Sequence, residues 1–174
     1  MDDVSLMARA SAGDERAFEA LVHRYTQAMW RLARSLLDDN FEAEEAVQDS
    51  FLKAHRGLRS FRGDAAVGTW LLSICYRTSI DRLRARRSPA VSLDTVSSIG
   101  AEPDLELRLA LKTTIASLPE EQRAAFILVH VLGYSRQEAA EVIGVPASTL
   151  RDRLVRAKER LAGMQELTEA VEER

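Results

Sequence analysis

The chain has 174 residues, 46% of them hydrophobic and 29% charged, which is ordinary for a soluble protein of one or two domains. Its net charge of −3 argues at first against a nucleic-acid partner, and its single cysteine excludes an internal disulfide. The N-terminus is acidic and no apolar run approaches ~18 residues, so we expect a cytoplasmic protein with neither signal peptide nor membrane span. Scattered histidines and the lack of a Gly-rich phosphate loop predict no catalytic site, no metal site and no cofactor.

Charge is unevenly distributed along the chain. Residues 88–107 contain four acidic residues and no basic one, and residues 162–174 carry a net charge of −3. By contrast, residues 76–88 hold five arginines and one aspartate, and residues 151–160 carry a net charge of +3. Because local fields rather than the total charge steer a polyanion, nucleic acid stays a candidate partner.

Helix-forming residues dominate and β-branched runs are few, so we predict an all-α fold. In the first half, apolar spacing predicts a short helix over residues 4–11, a long helix capped by Asp14 and ending near Leu37, and a helix over residues 42–56. The third helix has an acidic outer surface. These carboxylates either complement the helix dipole or form a docking face for a basic partner.

Residues 60–87 combine a polar loop, an apolar helix face and a basic end. The loop spans residues 61–64, and the helix begins near Val67. Two interpretations are open: a core helix with a solvated charged end, or a surface for single-stranded or opened nucleic acid. We interpret Trp70 as a core residue rather than a stacking wedge, because it lies on the apolar face with the following residues: Val67, Leu71, Ile74 and Cys75.

An acidic stretch rich in Ser, Ala, Gly and Pro follows from Ser88 to Pro103 and predicts a flexible linker between two small helical domains. We therefore divide the chain into residues 1–87, 88–103 and 104–165, followed by an acidic tail over residues 166–174. The second domain is predicted to begin with helices over residues 105–116 and from about Pro119 to Leu132.

The clearest local signature is Ser135-Arg136-Gln137-Glu138, an S-x-x-E capping box ahead of an apolar run that Gly144 closes. We expect Ser148 or Thr149 to cap a last helix with a basic outer face. A short helix, a tight turn and a basic helix predict a DNA-binding helix-turn-helix.

Both halves together resemble an extracytoplasmic-function sigma factor, the small two-domain branch of the sigma-70 family. The resemblance covers about Leu6 to Leu161 and implies a non-enzymatic protein that binds core RNA polymerase through the β′ clamp helices and the β flap. It also implies that this polymerase is directed to particular promoter DNA, that the −10 element is opened, and that an anti-sigma factor controls the protein. Six segments in the family's order carry it: GDERAFEALVHRY, EAEEAVQDSFLKA, SFRGDAAVGTWLLSI, DRLRARR, LPEEQRAAFIL and GYSRQEAAEVIGVPASTLRDRLVRAKERL.

The resemblance assigns three sets of residues. The core-polymerase set has acidic groups that can accept hydrogen bonds from basic side chains: Glu44, Glu45, Gln48, Asp49 and Lys53. The −10 set runs from a loop that would receive a flipped base to arginines suited to phosphates: Phe61, Arg62, Gly63, Asp64, Tyr76, Arg77, Arg82, Arg84, Arg86 and Arg87. The −35 set would place the last helix in the major groove and hold the backbone from the preceding helix start: Ser135, Arg136, Ser148, Thr149, Arg151, Asp152, Arg153, Val155, Arg156 and Lys158.

Three positions depart from the family's pattern. Tyr76 and Arg77 stand where the family often has a basic residue and an asparagine that reads the flipped base, so the −10 preference is not carried over. Asp152 stands where a small serine is frequent. It either accepts from a cytosine amino group or pairs with Arg151 or Arg156.

An alternative function is a helix-turn-helix transcription regulator that acts without core polymerase. It would account for residues 118–161 but not for the loop and basic helix of the first half. A regulator binds its operator alone, whereas a sigma factor binds promoter poorly until assembled on core. Two interpretations of the linker also stay open: a segment threading toward the polymerase active-site channel, and a solvated tether.

Overall fold

The structure, a computed structural model, describes residues 1–87 and 113–172, with side chains for residues 1–86 and 113–163. The described residues form helices joined by short turns, which confirms the predicted all-α class. The predicted linker, most of the helix over residues 105–116, the Arg87 side chain and the side chains of the acidic tail lie outside this description. The helices are α1 (Asp3–Ser11), α2 (Glu15–Leu37), α3 (Asn40–Gly57), α4 (Val67–Arg87), α5 (Glu120–Phe126), α6 (Arg136–Ile143) and α7 (Ala147–Glu172).

Aspartates begin the first three helices because their carboxylates accept from amides that have no partner within the helix. Asp2 accepts from the Ser5 amide at 2.8 Å and Asp39 accepts from the Glu42 amide at 2.8 Å. The predicted cap Asp14 is confirmed, since it accepts from the Ala17 amide at 3.2 Å. These caps fix where α1, α2 and α3 start.

The core of the first half forms around α2, which packs against α1, α3 and α4. Leu21, Met29 and Leu32 of α2 are fully buried. Cys75 of α4 is also fully buried and donates its thiol to the Met29 carbonyl at 3.4 Å. Burial raises the pKa of this thiol to about 12, so it stays protonated at neutral pH.

Helix α4 is buried on more than its apolar face. The predicted apolar positions Val67, Leu71 and Cys75 are buried, but so are Thr69 and Thr78 on other faces. The reason is that α2 and α3 cover one side of α4 while α6 of the second half packs on another. The small side chains of these threonines permit close packing on both sides of the helix.

The second half packs α5, α6 and α7 around a small apolar centre. Its fully buried side chains include Leu128, Val142 and Leu150. A π-helical turn, Ile127–Val131, continues α5. The predicted cap of the last helix is wrong: α7 begins at Ala147, one residue after Pro146, so Ser148 and Thr149 lie in its first turn. Within the part of the chain described, no helix is both long and apolar enough to cross a membrane.

The two halves contact each other through α2 and α4 of the first half. The Arg123 guanidinium donates to the Ser35 carbonyl at 2.8 Å and to the Leu118 carbonyl at 2.9 Å. Tyr134, in the turn before α6, reaches Gly68 near the start of α4. The halves are therefore joined by the hydrogen bond from Arg123 to Ser35 and by the packing of Tyr134 against Gly68.

Candidate polymerase and promoter interfaces

A row of polar side chains on α3 faces a row on α4. Arg82 donates through Nη1 to Glu45 Oε2 at 2.8 Å and through Nη2 to Asp49 Oδ2 at 2.6 Å. At the other end of α3, Lys53 Nζ donates to Thr78 Oγ1 at 3.0 Å. The hydrogen bond to Asp49 raises the pKa of Arg82, so its charge is fixed.

The same row continues to the start of α3. Arg86 Nη1 lies 3.1 Å from Glu42 Oε2 and donates to the Leu37 carbonyl at 3.1 Å. An arginine that donates to the last carbonyls of a helix satisfies acceptors left free there. Two residues that the resemblance assigns to DNA, Arg82 and Arg86, thus contact acidic residues of the helix that it assigns to polymerase. Their roles toward phosphates stay predictions.

Other residues of the predicted polymerase-binding set face solvent. Glu44 and Gln48 are exposed on α3, and the apolar side chains of Phe41 and Leu52 are exposed near its two ends. Glu45 and Asp49 remain nearly half exposed despite their bonds to Arg82. The outer face of α3 therefore offers carboxylates and an amide between two apolar side chains.

The predicted base-binding loop forms a small cleft of about 270 Å³. Phe61 and Trp70 lie in its wall with ring centroids 5.2 Å apart and planes tilted by 57°. Arg62 and Asp64 are exposed at the rim. Trp70 is half-buried: it packs against the core, as predicted, and also lines the cleft, so its aromatic face belongs to the site. An aromatic wall with charged groups beside it suits an unstacked base.

The two departures that lie within the −10 set, Tyr76 and Arg77, occupy different environments. Arg77 is exposed on α4, as is Arg84. Tyr76 is only 9% exposed, because it lies where the second half covers α4. Burial raises the pKa of its hydroxyl, and the charges of Arg153 and Glu121 from the second half also act on it. In this arrangement Tyr76 is a contact between the halves.

The helix-turn-helix forms as predicted. The Ser135 side chain accepts from the Glu138 amide at 3.2 Å, and the Ser135 amide donates to Glu138 Oε2 at 2.9 Å, which confirms the capping box. The hydrogen bonds from Ser135 lower the pKa of Glu138. Gly144 adopts φ of 79° at the C-terminus of α6, a left-handed conformation that favours glycine. Arg136 is exposed beside the cap.

The outer face of α7 exposes most of the predicted −35 residues. Asp152 lies 4.0 Å from Arg151, so one of the two predicted pairings is present, between well-exposed side chains. Thr149, Asp152 and Arg156 also line a polar groove of about 420 Å³ against the start of α5. The exposed set is Ser148, Arg151, Asp152, Val155, Arg156 and Lys158.

Arg153 differs from the other predicted −35 residues because it faces inward. Its side chain is 17% exposed and its Nη2 lies 2.7 Å from Glu121 Oε2, which joins α7 to α5. Its role as a phosphate anchor stays a prediction. Among the residues described, no group of three or more His, Cys, Asp and Glu is placed to hold a metal ion.

Sequence reasoning missed the facing rows on α3 and α4. Their spacing was readable: Glu42, Glu45, Asp49 and Lys53 recur every three or four residues, and so do Thr78, Arg82 and Arg86. The sequence does not show that α3 and α4 run antiparallel, which places Glu42 beside Arg86 and Lys53 beside Thr78. That alignment follows from the packing of α3 on α4.

The chain has two helical units. The first carries a loop that forms a cleft and the second contains a helix-turn-helix, which is the organisation of two-domain sigma factors of the sigma-70 type. The family profile Sigma-70 region 2 matches residues 21–88, and Sigma-70, region 4 matches residues 108–161. The chain is 40% identical over 162 residues to the ECF RNA polymerase sigma factor SigM of Mycobacterium tuberculosis (strain ATCC 25618 / H37Rv), covering 92% of this chain and 83% of that protein. It is 35% identical over 176 residues to the ECF RNA polymerase sigma-E factor of Escherichia coli (strain K12), covering 91% and 92%.

Solved structures show the same arrangement of helices. CnrH in complex with the cytosolic domain of CnrY matches with a TM-score of 0.76 and 29% identity, covering 95% of this chain and 97% of that chain. The sigma factor RpoE in complex with the anti-sigma factor NepR from Bartonella quintana matches with a TM-score of 0.72 and 27% identity, covering 86% and 96%. The chain belongs to the extracytoplasmic-function sigma factors of the sigma-70 family. It is an alternative sigma factor, which binds core RNA polymerase and directs it to promoters.

Proposed function

We propose that this sigma factor divides its work among three surfaces. The outer face of α3 binds the β′ clamp helices of core polymerase. The loop cleft and the exposed arginines Arg77 and Arg84 bind the −10 element, and the exposed face of α7 reads the −35 element. The supporting observation is that these surfaces occur in one chain, in the family's order, and expose different chemistry: acidic on α3, aromatic in the cleft and basic on α7.

Each surface has the chemistry its partner requires. Carboxylates on α3 can accept charge-assisted hydrogen bonds from basic side chains. The ring faces of Phe61 and Trp70 provide stacking surface for a base that has left the duplex. On α7, Arg151 and Arg156 are exposed near the helix N-terminus, the part that enters a major groove in helix-turn-helix proteins.

We place the division between the two working units as the sequence predicted it, with residues 1–87 and 104–165 joined by a linker. The protein acts as an initiation factor without catalytic residues of its own and works in the cytoplasm with core polymerase and promoter DNA. The β flap is its second contact on core, through the helix-turn-helix unit.

Control by an anti-sigma factor is part of the proposal. The structures of CnrH with CnrY and of RpoE with NepR are complexes, the second with a protein described as an anti-sigma factor. Both match the arrangement of the two halves found here. We expect an anti-sigma partner to bind the arrangement in which α6 lies on α4.

Reconstitution with core polymerase tests this function. The chain is mixed with core enzyme and a genomic fragment library, and run-off transcripts are sequenced. We expect start sites that share paired −10 and −35 elements and depend on both components. Specific duplex binding by the chain alone, with no core-dependent transcript, would instead support the helix-turn-helix regulator, which the paired region 2 and region 4 matches do not favour.

A further inference from the structure

We propose that Arg82 is a positioning residue of the polymerase-binding face rather than an anchor for DNA phosphates. It holds Glu45 and Asp49 so that each presents one free carboxylate oxygen to a cationic group of core polymerase. This inference deepens the proposed function and rests on the assignment of α3 to core.

The geometry of Arg82 is that of a bridge between two carboxylates. Its two terminal nitrogens bond to different residues, to Glu45 at 2.8 Å and to Asp49 at 2.6 Å. The side chain is 28% exposed, less than either acidic partner. Two carboxylates already neutralise this guanidinium, so a phosphate that approached its remaining N–H groups would meet little net positive charge.

The two carboxylates need such a bridge. Glu45 and Asp49 lie four residues apart on α3, where like charges repel each other. Without Arg82 both side chains would turn apart into solvent and would have to be ordered when a partner binds, which weakens binding. Arg82 bonds to Glu45 Oε2 and Asp49 Oδ2, and a carboxylate has two oxygens that accept hydrogen bonds. Oε1 and Oδ1 therefore remain for a partner.

Neighbouring contacts place Arg82 at the centre of this row. Arg86 pairs with Glu42 on one side, and Lys53 donates to Thr78 on the other. These flanking contacts fix the alignment of α3 and α4, so the Arg82 fork reaches both carboxylates at once. Arg84 lies two residues away on α4, is exposed, and makes no ion pair within the described part of the chain.

Two substitutions separate positioning from charge. Arg82→Gln removes the cation, and Arg82→Lys keeps the charge but replaces the planar fork with a single ammonium, which cannot reproduce the bridge. We expect both variants to lower the affinity for core polymerase by about three- to tenfold, because two side chains must then be ordered when core binds. A pure charge effect has the opposite sign, because removing a cation from an acidic face strengthens its attraction for a basic partner.

The matched control is Arg84→Gln, which removes the same charge from the same helix. It should leave core affinity unchanged and should lower the salt slope of promoter binding by the holoenzyme by about 1, as for one lost phosphate contact. The Arg82 variants should leave that slope unchanged.

A second background distinguishes positioning from a general structural role. In the variant Glu45→Gln with Asp49→Asn no carboxylate remains to be positioned, so Arg82→Gln should have no further effect on core affinity. The inference is overturned if the Arg82 variants bind core with unchanged or higher affinity, or if Arg82→Lys alone binds like the wild type. It is also overturned if Arg82→Gln lowers core affinity as much in the Glu45→Gln, Asp49→Asn background as in the wild type. Failure of the wild-type chain to bind core would instead contradict the proposed function, and the inference with it.

Discussion

Among the glycines of the described part of the chain, Gly68 has the least room for a side chain. A Cβ built on it would lie 2.7 Å from Tyr25 Cε1 and 2.9 Å from the hydroxyl oxygens of Tyr25 and Tyr134. Tyr25 cannot easily move, because its hydroxyl donates to the Asp3 carboxylate. Glycine in this helix therefore serves the close approach of two tyrosines from different halves of the chain.

We predict that Gly68→Ala destabilises the protein. Overpacking costs ~1–3 kcal/mol, whereas alanine gains ~1 kcal/mol of helix propensity, so we expect a net loss of about 1 kcal/mol in the free energy of unfolding. The measurement is urea unfolding followed by circular dichroism. Gly163→Ala is the matched control, since Gly163 lies within α7 with no atom within 4 Å of a built Cβ, and it should be neutral or stabilising. An unchanged or raised stability of Gly68→Ala would contradict the packing argument.

At the scale of single elements, α6 depends on both parts of its capping box. We predict that Ser135→Ala lowers the free energy of unfolding by ~1 kcal/mol, the usual cost of losing an N-cap. Because the folded state holds the Glu138 pKa below its ordinary value, the carboxylate contributes stability above that value and loses it as pH falls through the folded pKa. The difference between the wild type and Glu138→Gln should therefore be present at pH 7 and vanish in acid.

The control for this pair is Gln137→Ala. Gln137 is exposed on the same helix and donates a hydrogen bond to the Glu141 side chain one turn away, so its loss should have little effect at either pH. Equal stability of Ser135→Ala and Gln137→Ala would show that the cap does not limit the stability of this unit.

Elements with strong local signals could be predicted from the sequence, and elements fixed by tertiary contacts could not. The Asp14 cap and the capping box at Ser135 involve residues within three positions of each other, so pattern alone identified them. The start of α7 was misplaced because Ser148 and Thr149 are good caps, yet the chain turns at Pro146. The candidate sites follow the same division: the cleft loop is local, whereas the Arg82 bridge joins residues 33 and 37 positions apart.

For the whole molecule, the contact between the halves covers part of the surface that the resemblance assigns to the −10 element. Tyr76 belongs to the set that the resemblance assigns to the −10 element, but the second half covers it here and leaves it 9% exposed. The arrangement must therefore open before Tyr76 can meet DNA. CnrH in complex with the cytosolic domain of CnrY has the same overall arrangement, with a TM-score of 0.76.

Arg123 is the side chain whose loss should open this arrangement. It is 11% exposed, donates to the Ser35 carbonyl of α2, and lies 3.4 Å from Asp38. We predict that Arg123→Met separates the halves, since a lost hydrogen bond from a charged donor costs ~1.5–3 kcal/mol. Small-angle X-ray scattering should then give a radius of gyration above the about 16 Å of a compact chain of this length. Arg31→Met, an exposed position on α2, should not change it, and an unchanged radius for Arg123→Met would mean that the tyrosine contacts at Gly68 suffice to hold the halves together.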